Sequence, residues 1–194
     1  MKKAIVLLVI LAMACTAVAL DIPKDVDRVE YQMDSPSRIV ITGELTDASP
    51  TWLRWRPASY EELGLNCDLV MTSSYTTQPH YDVYCFNVTD TAPVEFVVDQ
   101  ASFDTVIYIY CDPFDPNAPT ENAVYMDDDD GVGLNSAIFA SNGVTLTPGA
   151  DYWFIICSYS STIGTYSVMT SDNVALCGGV ATEETTWSNL KGLF

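Results

Sequence analysis

The chain has 194 residues and carries 8 Lys and Arg against 26 Asp and Glu, for a formal net charge of −18. Such acidity repels phosphate backbones and the basic residues are scattered, so nucleic acid is not an expected partner. The length suits one domain with an ordinary core and is short for two.

Met1, Lys2 and Lys3 make a positive start, residues 4–13 an apolar run, and Ala17-Val18-Ala19 an A-x-A cleavage signal. Residues 1–19 therefore read as a secretory signal peptide. Cutting there removes two of the 8 basic residues and leaves 6 against 26 acids, a net of −20. A competing reading takes Ala12-Met13-Ala14-Cys15 as a degenerate lipoprotein signal, with Cys15 cut and acylated. No later stretch is apolar for long enough to cross a bilayer, so a secreted, extracellular or periplasmic protein is expected.

Residues 20–36 are polar, contain Pro23 and read as a lead-in. The first strand is expected over residues 37–43, ended by Gly43. Further strands are expected at 68–71, 81–88, 94–99, 103–110, 137–140, 143–146, 153–156 and 164–168, separated by acidic, Gly-rich or Pro-Gly turns. Apolar residues in these runs alternate with polar ones as when one sheet face is buried, and little helical periodicity intervenes. The fold class is thus an all-β antiparallel sandwich, a single domain over residues 37–170. Residues 171–194 form a tail whose Trp187, Leu190 and Phe194 recur at helical spacing beside Lys191. That tail either covers a sheet edge or serves as a docking segment.

Several motifs stand in a recognisable order: Asp104-Thr105 opening a strand, Asp127-Asp128 followed by Ser136, Gly149-Ala150-Asp151-Tyr152, and Gly164-Thr165-Tyr166. Gly43-Glu44-Leu45 and Pro50-Thr51-Trp52-Leu53-Arg54 precede them. The order resembles the bacterial pre-peptidase C-terminal domain, a secreted β-sandwich module with jelly-roll-like architecture, over residues 37–170. Met126 stands where that family commonly has Asn. The resemblance implies an accessory or binding module and not a catalyst.

Six cysteines are present, and five remain after cleavage at Ala19. In an oxidising compartment they should pair. Neighbouring strands suggest Cys67 with Cys85 across a hairpin, and Cys111 with Cys157 at the ends of two adjacent strands, leaving Cys177 over. The alternative is that some of these are free buried thiols. No C-x-x-C spacing occurs, which argues against zinc.

Candidate functional residues fall in two places. Asp127, Asp128, Asp129 and Asp130 repel one another, and Ca²⁺, which takes about six to eight oxygens, is the simplest way to order them, with Asp104 and Asn135 as further ligands. The other reading is a solvated acidic turn whose side chains cap local amides. Trp52, Arg54 and Arg56 share one face of an extended segment and could stack on a sugar or grip an acidic partner. The competing reading has them stack internally and neutralise the protein's own carboxylates. His80 is the sole histidine, and no nucleophile elbow, phosphate loop or dinucleotide fingerprint occurs.

The expected function is a secreted, monomeric, non-catalytic module recognising an extracellular polysaccharide or protein, with calcium as candidate cofactor. The alternatives are a structural or cell-surface protein held by its tail or by a lipidated Cys15, and a carboxylate-dependent hydrolase.

Overall fold

The computed structural model describes residues 38–57, 67, 71–74 and 77–177. The signal peptide, the lead-in, Cys15 and the tail from 178 onward lie outside the described residues. In chain order the strands are β1 Val40–Leu45, β2 Trp55–Pro57, β3 Met71–Ser74, β4 Tyr81–Val88, β5 Phe96–Ala101, β6 Thr105–Cys111, β7 Ala123–Asp127, β8 Ala137–Ile138, β9 Tyr152–Ser158, β10 Gly164–Thr170 and β11 Val174–Leu176. Two antiparallel sheets pack together, one ordered β1-β10-β5-β8 and the other β11-β4-β9-β6-β7, with β2 and β3 as a separate pair. The all-β sandwich expected from the alternating strands is therefore the observed fold.

Between the two sheets lies a core built from alternate residues of each strand. Tyr84 and Phe86 of β4, Ile107 and Ile109 of β6, and Phe154 and Ile156 of β9 meet Phe96, Val98 and Val168 of the smaller sheet. Phe96 stacks on Phe154 with ring centroids 4.5 Å apart, and Phe86 sits edge-on to Phe96 at 5.0 Å. Burying each such ring contributes about 1.5–3 kcal/mol. A polar link crosses the same core: the Tyr166 hydroxyl donates to Asp82 Oδ2 at 2.6 Å and lies 2.6 Å from the Tyr84 hydroxyl. It passes directly over Gly43, where an added Cβ would lie 2.2 Å from the Tyr166 oxygen. Only a residue without a side chain leaves room for that ring.

The five-stranded sheet has no bare face. Its outward residues Val83, Val106, Tyr108, Tyr110, Met126, Ile155 and Cys157 form a second cluster with Trp52 and Trp55. Every residue of β6 is buried in consequence. This departs from the expectation of one solvated face. The run from Val106 to Tyr110 is apolar at every position because both of its sides are covered.

Other differences concern both elements and partners: β2 and β7 form where the sequence suggested no strand, β7 being held by pairing with β6. The strand containing Met71 pairs with β2 and not with β4, so the expected hairpin between the Cys67 and Cys85 strands is absent. Residues 143–146 form no strand, yet the Val144 carbonyl accepts a hydrogen bond from the Val94 amide at 2.9 Å. Residues 174–176, placed in the tail by the sequence, are β11 and pair with β4. They lie along the edge of β4, while Trp187, Leu190 and Phe194, on which the two readings of the tail rest, lie outside the described residues.

The disulfides are Cys67–Cys111 and Cys85–Cys177, and Cys157 is a buried free thiol. This corrects both expected pairings, Cys67 with Cys85 and Cys111 with Cys157. β6 and β9 are antiparallel, so Cys111 faces Tyr152 while Cys157 faces Val106, a strand length away. Cys111 also points into the inter-sheet core and Cys157 into the outer cluster. Cys85 instead meets the residue just past β11, whose Cys177 amide donates to the Cys85 carbonyl at 3.0 Å.

Non-reducing peptide mapping should recover Cys67–Cys111 and Cys85–Cys177, with Cys157 unreactive to thiol reagents until the chain is unfolded. Replacing Cys85 and Cys177 together by Ser should cost about 2–5 kcal/mol in urea unfolding. A Cys111–Cys157 peptide would contradict the register of β6 on β9.

Candidate functional site

Four segments meet at one end of the sandwich: residues 52–54 leading into β2, 102–104 between β5 and β6, 128–136 between β7 and β8, and 159–163 between β9 and β10. Backbone hydrogen bonds tie the last three together, and Arg54, whose guanidinium lies over the Tyr159 ring, brings in residues 52–54. The Thr105 amide donates to the Leu134 carbonyl at 3.2 Å, the Tyr159 amide to the Asp104 carbonyl at 2.8 Å, and the Ser102 amide to the Thr165 carbonyl at 3.0 Å.

Thr105 and Ser136 form the knot at the centre, and both are fully buried. The Ser136 amide donates to Thr105 Oγ1 at 2.8 Å, and Ser136 Oγ lies 2.7 Å from the Thr105 carbonyl and 2.8 Å from the Asp128 carbonyl. Beside them Asp127 Oδ2 accepts from the Ala137 amide at 2.7 Å and from the Asp130 amide at 3.2 Å. Asp127 thus caps the turn from within, as the amide-capping reading of the acidic run proposed. Gly131 closes it: its amide donates to the Asn135 carbonyl at 2.8 Å, and a Cβ there would lie 2.4 Å from that oxygen.

The acids do not share one environment. Asp127 is buried, Asp104 and Asp128 are half-buried, and Asp129 and Asp130 are exposed. Burial pushes the Asp127 carboxyl up to about 7, the negative charge of Asp130 adding to it against the two amide hydrogen bonds. Burial likewise raises Asp128 to about 6, offset in part by Arg54 and reinforced by Asp104 and Asp129. Asp104 is raised by burial as well, again against the pull of Arg54. Each is an acid kept from ionising in its usual range because charge is costly away from water.

The six expected calcium ligands Asp104, Asp127, Asp128, Asp129, Asp130 and Asn135 all lie at this end. No three of their carboxylates converge, however. Among the described residues, the one group of three with ligand atoms within 4.8 Å of each other is Cys85, Asp151 and Cys177, whose two sulfurs are joined as a disulfide. Asp128 Oδ1 is buried without a hydrogen-bond partner.

Trp52 and Arg54, expected on an open binding face with Arg56, are turned inward. Trp52 packs edge-on to Tyr108 with centroids 5.1 Å apart and tilted against Tyr81 at 5.5 Å. Arg54 is 1% exposed and its guanidinium lies 4.4 Å over the Tyr159 ring, where its charge acts on Asp104 and Asp128. Arg56 alone of the three faces solvent. The outer face of the five-stranded sheet needs a cover, and Trp52 and Trp55 supply it. The segment between them brings Arg54 in as the internal counter-charge of the acidic end.

What the sequence reading missed is apolar. Leu53, Val132, Leu134, Tyr159 and Ile163 are all exposed on these four segments, Val132 by 86% and Leu134 by 60%. A signal was present: Gly131-Val132-Gly133-Leu134 places two aliphatic side chains in an acidic turn that would ordinarily be polar. Gly133 has φ 77, so the chain turns between them. His80 has a structural task elsewhere, its Nδ1 donating to the Ser49 carbonyl at 2.8 Å. Cys157 lies beneath Trp52 and Arg54, and burial pushes its thiol up to about 12, which removes the thiolate a nucleophile needs. No protein-family model matches the chain, and no curated protein matches it in sequence.

Because Asp127 and Asp128 have folded-state values above the unfolded value near about 4, the folded protein holds more protons between about pH 4 and pH 7. Stability should therefore fall as pH rises through that window, with a higher melting temperature at pH 5 than at pH 8. Asp127→Asn keeps an oxygen for the two amides and loses the charge, so its melting temperature should depend less steeply on pH. Thermal melts of both proteins across the window measure the difference, and an unchanged slope would dismiss Asp127 as its source.

Proposed function

We propose that this chain is a secreted, monomeric, non-catalytic binding module of the kind its motifs resemble, the pre-peptidase C-terminal domain, and that it recognises an extracellular partner through the loop end of the sandwich. The observation that carries this reading is the placement of exposed apolar side chains. Of the six large ones exposed among the described residues, Leu53, Val132, Leu134, Tyr159 and Ile163 belong to the four convergent segments, and only Val40 does not. Soluble surfaces carry such residues singly, and their clustering marks an interaction site. Two disulfides support an oxidising compartment. Among the described residues no helix is long and apolar enough to cross a membrane. Asp127 is engaged by two amides and Arg54 by the Tyr159 ring, which supports recognition over catalysis.

A screen of immobilised protein against extracellular polysaccharides and proteins tests this reading, with a Val132→Ser/Leu134→Ser variant as the comparison. Both side chains are exposed, so the variant should melt within a degree or so of the parent, since exposed substitutions stay within about 0.5 kcal/mol. Binding should be lost with it. Ligands that bind the variant and the parent alike would place recognition elsewhere.

Calcium at the acidic turn is a second proposal, favoured by the unpartnered Asp128 Oδ1. An ion bound at about 100 times its Kd would add about 2.7 kcal/mol. Melting curves in Ca²⁺ and in EDTA should then separate, and Asp128→Ala with Asp130→Ala should bring them together. Coincident curves for the parent would leave Asp127 and Arg54 as the whole means of ordering the turn.

A further inference from the structure

We infer that the partner is a polypeptide segment carrying basic and apolar side chains together, seated on Leu53, Val132, Leu134, Tyr159 and Ile163 with its cations toward Asp104, Asp128, Asp129 and Asp130. This inference rests on the loop end being the recognition surface and adds the chemistry of what it takes. The four segments carry four carboxylates and a single cation. That cation, Arg54, is 1% exposed and lies over the Tyr159 ring. The apolar tips therefore share their segments with net negative charge. A complementary surface has to be apolar and positive together, the arrangement that both removes the tips from water and steers approach.

Other occupants fit the same surface less well. A second copy would set its own carboxylates against these at close range. An anionic membrane or a nucleic acid is repelled by a chain of net charge −18. A neutral polysaccharide wants an open aromatic platform, and the indoles of Trp52 and Trp55 are buried. The surface is also held in shape before any partner arrives. Asp127 caps the turn, Ser136 ties it to β6, and Gly131 closes it on Asn135. Little ordering is needed on binding, which favours a defined partner over a loose hydrophobic contact.

The test uses the full mature chain and fluorescent peptides of about 12 residues, long enough to cover such a patch. One alternates Lys with Leu, one Glu with Leu, and one Lys with Ser. Phosphatidylcholine vesicles serve as a neutral apolar surface. The Lys/Leu peptide should bind best, and its affinity should fall at least about tenfold between about 0.05 M and about 0.5 M salt, because the charges involved are exposed to screening. Val132→Ser/Leu134→Ser should weaken it about tenfold or more, and Asp129→Asn/Asp130→Asn should weaken it and flatten its salt dependence. A Val132→Ala/Leu134→Ala variant repeats the test with smaller side chains, and unchanged melting temperatures show that each variant is folded. Equal binding of the Lys/Ser peptide, or binding of the vesicles in place of any peptide, overturns the inference. Preferential binding of the Glu/Leu peptide that Val132→Ser/Leu134→Ser abolishes overturns the charge class and leaves the loop end as the recognition surface. Peptide binding that no loop variant alters overturns both.

Discussion

The five-stranded sheet must be covered on both faces, and most of the remaining structure answers to that requirement. One face is met by the smaller sheet through Phe86, Phe96 and Phe154. The other is met by the short segment that carries Trp52 and Trp55 across Tyr81, Tyr108 and Tyr110. Two indoles laid on tyrosines bury a large apolar area for few residues of chain. The Tyr108 hydroxyl donates to the Trp55 carbonyl at 2.9 Å, and the Trp55 indole donates to the Tyr110 hydroxyl. The Trp55 half of the cover thus has its polar groups paired as well as its ring packed.

Laying that segment down also settles the electrostatics of the loop end. Arg54 lies between the two tryptophans and arrives beneath Asp104 and Asp128 as the counter-charge those half-buried acids need. Without a cation there, two raised carboxylates would face each other across a turn already crowded by Asp129 and Asp130. With it, the outer acids remain in water and the same loop exposes Val132 and Leu134 just after them. A packing demand on one side of the sheet is in this way coupled to the shape and charge of the loop end.

The motif residues gain physical meanings from their neighbours. Gly43 is needed by the Tyr166 ring that crosses it, Thr105 by the Ser136 amide, and Asp127 by the amides of Ala137 and Asp130. The Gly43 and Thr105 contacts join segments far apart in the chain, and those of Asp127 close a turn of its own segment. Their spacing is therefore readable in the sequence, whereas their reason is not.

Strand character was legible because it is local: the β-branched and aromatic runs at 81–88, 103–110 and 153–156 carry it in their own composition, and the Gly and Pro-Gly turns between them mark reversals. The sandwich class and the amide-capping role open to the acidic turn followed from that information alone; that the capping Asp127 is buried and not solvated did not. Which strands pair did not. The Cys residues at 111 and 157 both fall near strand ends, and only the antiparallel register shows that those ends lie at opposite ends of one strand pair. The inward turn of Trp52 and Arg54 was one of two readings left open by the sequence, since an alternating face reads the same whether it meets water or a second layer, and burial decides for the internal stack. Residues 174–176 are too short and too plain to announce a strand, and they become one because β4 offers an open edge and Cys85 holds Cys177 beside it. The sequence by itself determined the long apolar strands, most of the turns and the excess of acid, all properties of neighbouring residues. Tertiary structure alone decided the cysteine partners, the burial of Arg54 and the gathering of exposed apolar tips at one end, because each depends on residues that meet only when distant strands are aligned.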